Sequence, residues 1–130
     1  RIELAGLIGK EEGEVTDDDV VESYLHSVDP SRGDEAFMLR YLQRGVIAHT
    51  FGNTLFVHGG VSEQAAGWIP GASAPVGSVA EWVQGLNAWC AAEVAAFEQN
   101  PFEGLNTKER AGHGLMDYGV PGGNKGRSAV

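Results

Sequence analysis

Two spacings of apolar side chains alternate along this chain, and the switch between them locates its elements. Val20, Val21, Tyr24, Leu25 and Val28 recur with helical spacing, which predicts a helix. Thr16 suits its N-cap, Asp17, Asp18 and Asp19 fill the positive first turn, and Asp29-Pro30 ends it. A second helix is expected to begin near Ser31 to Asp34, to bury Phe37, Met38, Tyr41 and Leu42, and to close at Arg44 and Gly45. At Val46 the period changes. Val46 to Phe51 and Thr54 to His58, separated by Gly52-Asn53, predict two antiparallel strands joined by a two-residue hairpin. Their nearly continuous apolar content predicts strands covered on both faces, as in a layered α/β domain.

Gly59-Gly60 breaks the second strand, and residues 61–76 form a loop rich in Gly, Pro, Ala and Ser, with Trp68 and Ile69 as its anchors. From Ser78 a long helix is expected, because Val79, Trp82, Val83, Leu86, Trp89, Cys90, Val94 and Phe97 follow helical spacing for about five turns. Gly85 weakens that helix and Asn100-Pro101 stops it. Beyond Phe102, glycines at 104, 112, 114, 119, 122, 123 and 126 predict ordered turns, with a strand-like pattern at Arg127 to Val130. No internal repeat is present. The chain opens on Arg1-Ile2-Glu3-Leu4, a structured pattern without an initiator Met, so both ends are expected to be internal to a longer protein.

Composition narrows the functional classes. At 130 residues, 42% hydrophobic and 21% charged, the chain has the size and balance of one folded domain. The net charge is −9, with acidic clusters at 11–14 and 17–19 and no Lys/Arg stripe, so no nucleic-acid partner is expected. No apolar run reaches the roughly 18 residues of a membrane span, and no signal core is present, so no membrane partner is expected. Cys90 is the only cysteine, which excludes a disulfide within the chain and favours a reducing, cytoplasmic setting with Cys90 as a core thiol.

The stretch that carries chemistry is Leu55-Phe56-Val57-His58-Gly59-Gly60-Val61, an apolar strand that ends on a histidine followed by two glycines. Open α/β sheets place ligands at such strand ends. A neutral imidazole there can bind a metal, and glycines remove the Cβ atoms that would block an ion or a phosphate oxygen. The same residues also suit a hydrogen-bonded strand-end histidine followed by a turn. Gly112-His113-Gly114 is a second candidate, although no strand pattern precedes it. His26 and His49 suit surface or packing roles. Asn124, Lys125 and Arg127 carry donors for a phosphate but suit a solvated turn. Trp82, Trp89 and Phe97 form a helix face for core packing.

The run Leu55 to Val61 resembles the V-H-G-G motif of calcineurin-like metallophosphoesterases, including the protein phosphatase and Shewanella-like branches. The resemblance extends through the hairpin and the preceding helix pair, covering residues 1 to 62, with a weaker echo over Met116 to Val130. It implies an α/β fold, part of a layered α/β/β/α sandwich with the antiparallel hairpin at about 46–58. Residues 1–130 would then be a fragment of a single phosphoesterase domain. It further implies two divalent metal ions (Mn, Fe or Zn), about 3.5–4 Å apart, holding a hydroxide that attacks phosphorus. His58 would be a metal ligand, Gly59 and Gly60 would bind substrate, and the substrate would be a phosphate monoester on a small molecule or a phosphoprotein. No catalytic side chain carries over.

The family's other ligands come from D-x-H, G-D-x-x-D-R-G, G-N-H-E and final G-H motifs. Gly33-Asp34-Glu35-Ala36-Phe37 lacks the second Asp and the Arg, and Gly52-Asn53-Thr54-Leu55 lacks the following His. The fragment alone is therefore expected to be inactive. Two other classes stay open. His-Gly-Gly also forms oxyanion loops in α/β-hydrolase esterases, but no complete G-x-S-x-G elbow is present. The other is a non-catalytic, phosphatase-like scaffold.

Overall fold

The computed structural model describes residues 1–101, 103–104, 109–120 and 122–127, and mixes helices with one antiparallel hairpin. The chain divides into two compact units, Arg1–Leu42 and Gln43–Val130.

The N-terminal unit is helical. Helix α1 (Ile2–Ile8) ends on Gly9 in the left-handed region, a short 3-10 turn covers Glu12–Glu14, and α2 spans Asp17–Val28. The predicted N-cap is present: the Asp19 amide donates to Thr16 Oγ1 at 3.1 Å, and the Thr16 amide donates to Asp19 Oδ2 at 2.8 Å. Lys10 Nζ adds a charged hydrogen bond to Asp19 Oδ1 at 2.7 Å. These contacts hold the Asp19 carboxyl down at about 2, with the Lys10 hydrogen bond the largest cause and the Thr16 amide next.

The second helix departs from its expected form. Pro30–Glu35 is a 3-10 stretch kinked at Gly33, and the α-helix, α3, begins only at Phe37 and runs to Arg44. Its buried residue is Leu39, with Ala36 just before it, whereas Phe37 is 63% exposed and Met38, Tyr41 and Leu42 are exposed too. Helical spacing identifies an apolar stripe, but the small interior of this unit (Ala5, Val15, Ala36, Leu39) packs the opposite side. The stripe of α2 behaves similarly, with Val20, Val21, Tyr24 and Leu25 exposed and Ser27 buried.

In the C-terminal unit β1 (Ala48–Phe51) and β2 (Thr54–Val57) pair antiparallel, Ala48 opposite Val57 and Phe51 opposite Thr54. The turn has Gly52 at φ 57° while Asn53 keeps negative φ, the pattern of a type II′ turn with glycine first. The expectation of strands covered on both faces is corrected. Ala48, Leu55 and Val57 pack inward, but the other face is open, with Phe51 78% and Phe56 55% exposed and His49 exposed beside them. The two-stranded sheet is flanked on one side by the long helix that follows, and Phe51 and Phe56 stand exposed on the other.

The organising element is α4 (Val79–Gln99), capped by Ser78, whose Oγ accepts from the Glu81 amide. Trp82 and Leu86 are buried against Ala48 and Tyr118, with Trp89 half-buried alongside; Val94 is buried a turn or more further on, while Val79 stays exposed. Ile69 occupies the space beside Gly85: a Cβ there would lie 2.1 Å from Ile69 Cδ1, so the isoleucine would have to shift. The loop is pinned where expected, since Trp82 Nε1 donates to the Trp68 carbonyl at 2.8 Å and the Arg127 guanidinium stacks over the Trp68 ring at 3.6 Å. Asn87 joins α4 to the sheet: its Oδ1 accepts from the Ile47 and Ala48 amides, and its Nδ2 donates to the Ala48 carbonyl. The expected turns after 102 include two short helices, α5 (His113–Tyr118) and α6 (Gly123–Gly126), and Tyr118 packs its ring 5.2 Å from Trp89. Residues 128–130 of the strand-like end lie outside the described residues.

Candidate functional site

The histidine motif sits where its strand stops. β2 carries Leu55 and Val57 onto α4, ends at Val57, and leaves His58, Gly59 and Gly60 exposed in a bend. Alternation along the strand is the local cause: 55 and 57 face the core, so the chain must leave the sheet at 58 to reach the loop pinned by Trp68 and Ile69. Among the described residues His58 has no hydrogen-bond partner, so its ring is available to a ligand.

Neither glycine is demanded by its backbone conformation. Gly59 and Gly60 both lack positive φ, and a Cβ on Gly60 would meet nothing within 4 Å. Their amides make no hydrogen bond among the described residues. A side chain at 60 would be tolerated by everything around it, so the local structure leaves that glycine without a packing role.

The other candidates are not gathered around His58 into a donor set. His113 begins α5, with its amide donating to the Arg110 carbonyl, a helix start and not the end of a strand. His26 lies on α2 in the N-terminal unit, its Nε2 3.5 Å from Glu22 and 2.8 Å from Arg32. His49 stands on the open face of β1, opposite Phe56. The donors of 124–127 serve local structure: the Asn124 amide binds Asp117 Oδ2, Asn124 and Lys125 hold positive φ, and Arg127 covers Trp68. Among the described residues no three His, Cys, Asp or Glu side chains come together as a metal site.

Cys90 is half-buried on α4, and burial, followed by the nearby Glu93 carboxylate, raises its thiol pKa. It stays protonated near neutral pH and is a packing residue. A hollow of about 330 Å³ lies in the N-terminal unit, lined among others by Leu4, Val20, Tyr24, Phe37 and Met38, and is unrelated to the motif. Among the described residues no helix is long and apolar enough to cross a membrane. Compared with protein-family models, curated proteins and solved structures, the chain matches none.

Proposed function

We propose that residues 55–61 are the His-Gly-Gly element of a metal-dependent phosphoesterase, with His58 as a metal ligand and the Gly59 and Gly60 amides facing a phosphate monoester. The observation that carries the reading is the exposed strand end. An imidazole without a hydrogen-bond partner among the described residues is followed by two glycines without positive φ, an arrangement suited to close approach of an ion and an oxyanion. The described residues by themselves do not fit a two-metal centre, because no three His, Cys, Asp or Glu side chains come together among them. Two ions of the Mn, Fe or Zn kind would need carboxylates and further nitrogen or oxygen donors from elsewhere.

The test has two arms. Residues 1–130 alone are expected to bind Mn²⁺ only weakly by calorimetry and to show no turnover of an aryl phosphate. The full reading frame containing them is expected to hydrolyse that phosphate with Mn²⁺ and to leave a short-chain aryl ester intact. His58→Ala in that protein should lower turnover by about two to four orders of magnitude with unchanged circular dichroism. Cleavage of the carboxylic ester instead, or undiminished phosphatase activity in the variant, would remove this reading.

A further inference from the structure

The two edges of the hairpin are treated differently. Asn87 takes both the amide and the carbonyl of Ala48, so those groups point away from β2, and Ala48–Val57 is a non-hydrogen-bonded pair of the ladder. Alternation then makes His49–Phe56 and Phe51–Thr54 the hydrogen-bonded pairs. On the outer edge of β1 the Asn87 side chain imitates a neighbouring strand at Ala48, while Thr50 has no partner there among the described residues. On the outer edge of β2 the amides and carbonyls of Leu55 and Val57 point outward and have no partner among the described residues. That is a strand-length template of four main-chain groups.

We propose that this edge pairs with itself: β2 of one chain lies antiparallel to β2 of a second copy, across a two-fold axis centred on Phe56. In that register Leu55 opposes the partner's Val57 and Val57 opposes the partner's Leu55, so the outward groups meet as two hydrogen-bonded pairs. Phe56 meets its own copy on the open face, joined by Thr54 opposite the partner's His58, and four strands form one sheet.

Charge selects this occupant. The chain carries a net −9, which opposes self-association in general, yet no Asp, Glu, Lys or Arg occurs between Arg44 and Glu63. A second copy meets no like charge there, and the edge lacks the lysines, prolines and inward charges that keep edges apart. Nor does it offer a charge that would select a foreign basic or acidic peptide. The Leu-Phe-Val triplet is close to self-complementary about Phe56, as an isologous contact requires.

The experiment is amide exchange on the ¹⁵N-labelled chain at dilute and concentrated protein, with sedimentation in parallel. The expected result is a concentration-dependent dimer in which the Leu55 and Val57 amides become protected on association. The Phe56 amide, already bonded within the hairpin, is protected at both concentrations. Phe56→Lys should weaken the dimer by about tenfold or more through like charges directly opposite one another. Mixing Phe56→Lys with Phe56→Glu chains should restore pairing as a heterodimer. A chain monomeric into the millimolar range, or a dimer that leaves the Leu55 and Val57 amides unprotected, would overturn the proposal, and neither outcome depends on whether the variants fold. These readouts involve no metal and are independent of the phosphoesterase reading.

Discussion

Asp19 shows how much a single half-buried side chain organises on its own. It closes the capping box with Thr16, receives Lys10, and its carboxyl is held at about 2 rather than its ordinary 3.8. Because the folded value is depressed, the stabilisation is fully present above the unfolded value and is lost as pH falls through the folded one. The helicity of α2 should therefore stay constant down to about pH 4 and decline toward pH 2, followed by far-ultraviolet circular dichroism. Asp19→Asn should remove most of that decline; an identical acid profile in the variant would show that the box does not govern the helix. Gly85 is the opposite kind of residue. In sequence it is a helix-weakening glycine, and in the structure it is the space into which Ile69 fits. The Thr16 N-cap was legible because its partner lies three residues away, whereas Ile69 and Gly85 meet only through the fold.

Among the elements, α4 and the hairpin depend on one another through Asn87, a polar residue within an apolar helix that satisfies two amides and a carbonyl of the entry to β1. Replacing it with Ala leaves those half-buried groups unpaired and should cost about 1–3 kcal/mol in urea denaturation. Asn87→Asp keeps the acceptor, loses the donor and should cost less than Asn87→Ala. Equal stability of wild type and Asn87→Ala would mean that water replaces the side chain fully. The spacing of α4 and the Gly52-Asn53 turn made both elements readable in sequence, and the hairpin lies at 48–51 and 54–57 within the expected 46–58. Coverage of the hairpin on both faces was not readable. An apolar strand shows that burial would be favourable, but a second layer must come from residues far along the chain or from another molecule. The open Phe51 and Phe56 face is the result.

On the scale of the whole molecule, the two units have unequal interiors. The N-terminal unit buries Ala5, Val15, Ala36 and Leu39, while the C-terminal unit closes Trp82, Leu86, Tyr118 and Ala48 into one cluster flanked by half-buried aliphatic residues. Stability follows buried apolar contact, so the mid-helix amides of α2 should exchange faster than those of α4 by about tenfold or more in native-state hydrogen exchange. Equal protection would show that the chain unfolds as one unit. Sequence by itself determined the elements whose causes lie within a few residues: the cap and stop of α2, the hairpin turn, the start and end of α4, and a His-Gly-Gly bend after an apolar strand. Short-range hydrogen bonds and side-chain periodicity suffice for those. Tertiary structure alone decided which apolar stripe is covered, with Leu39 inside and Phe37 outside, and that Ile69 fills the space beside Gly85. It also decided that His58 stands exposed outside any group of three metal-ligating side chains among the described residues, and that Asn87 caps the β1 edge at Ala48 while the β2 edge is open. Each of these depends on contacts between residues distant in sequence, and periodicity states only that a face prefers burial, not what will meet it.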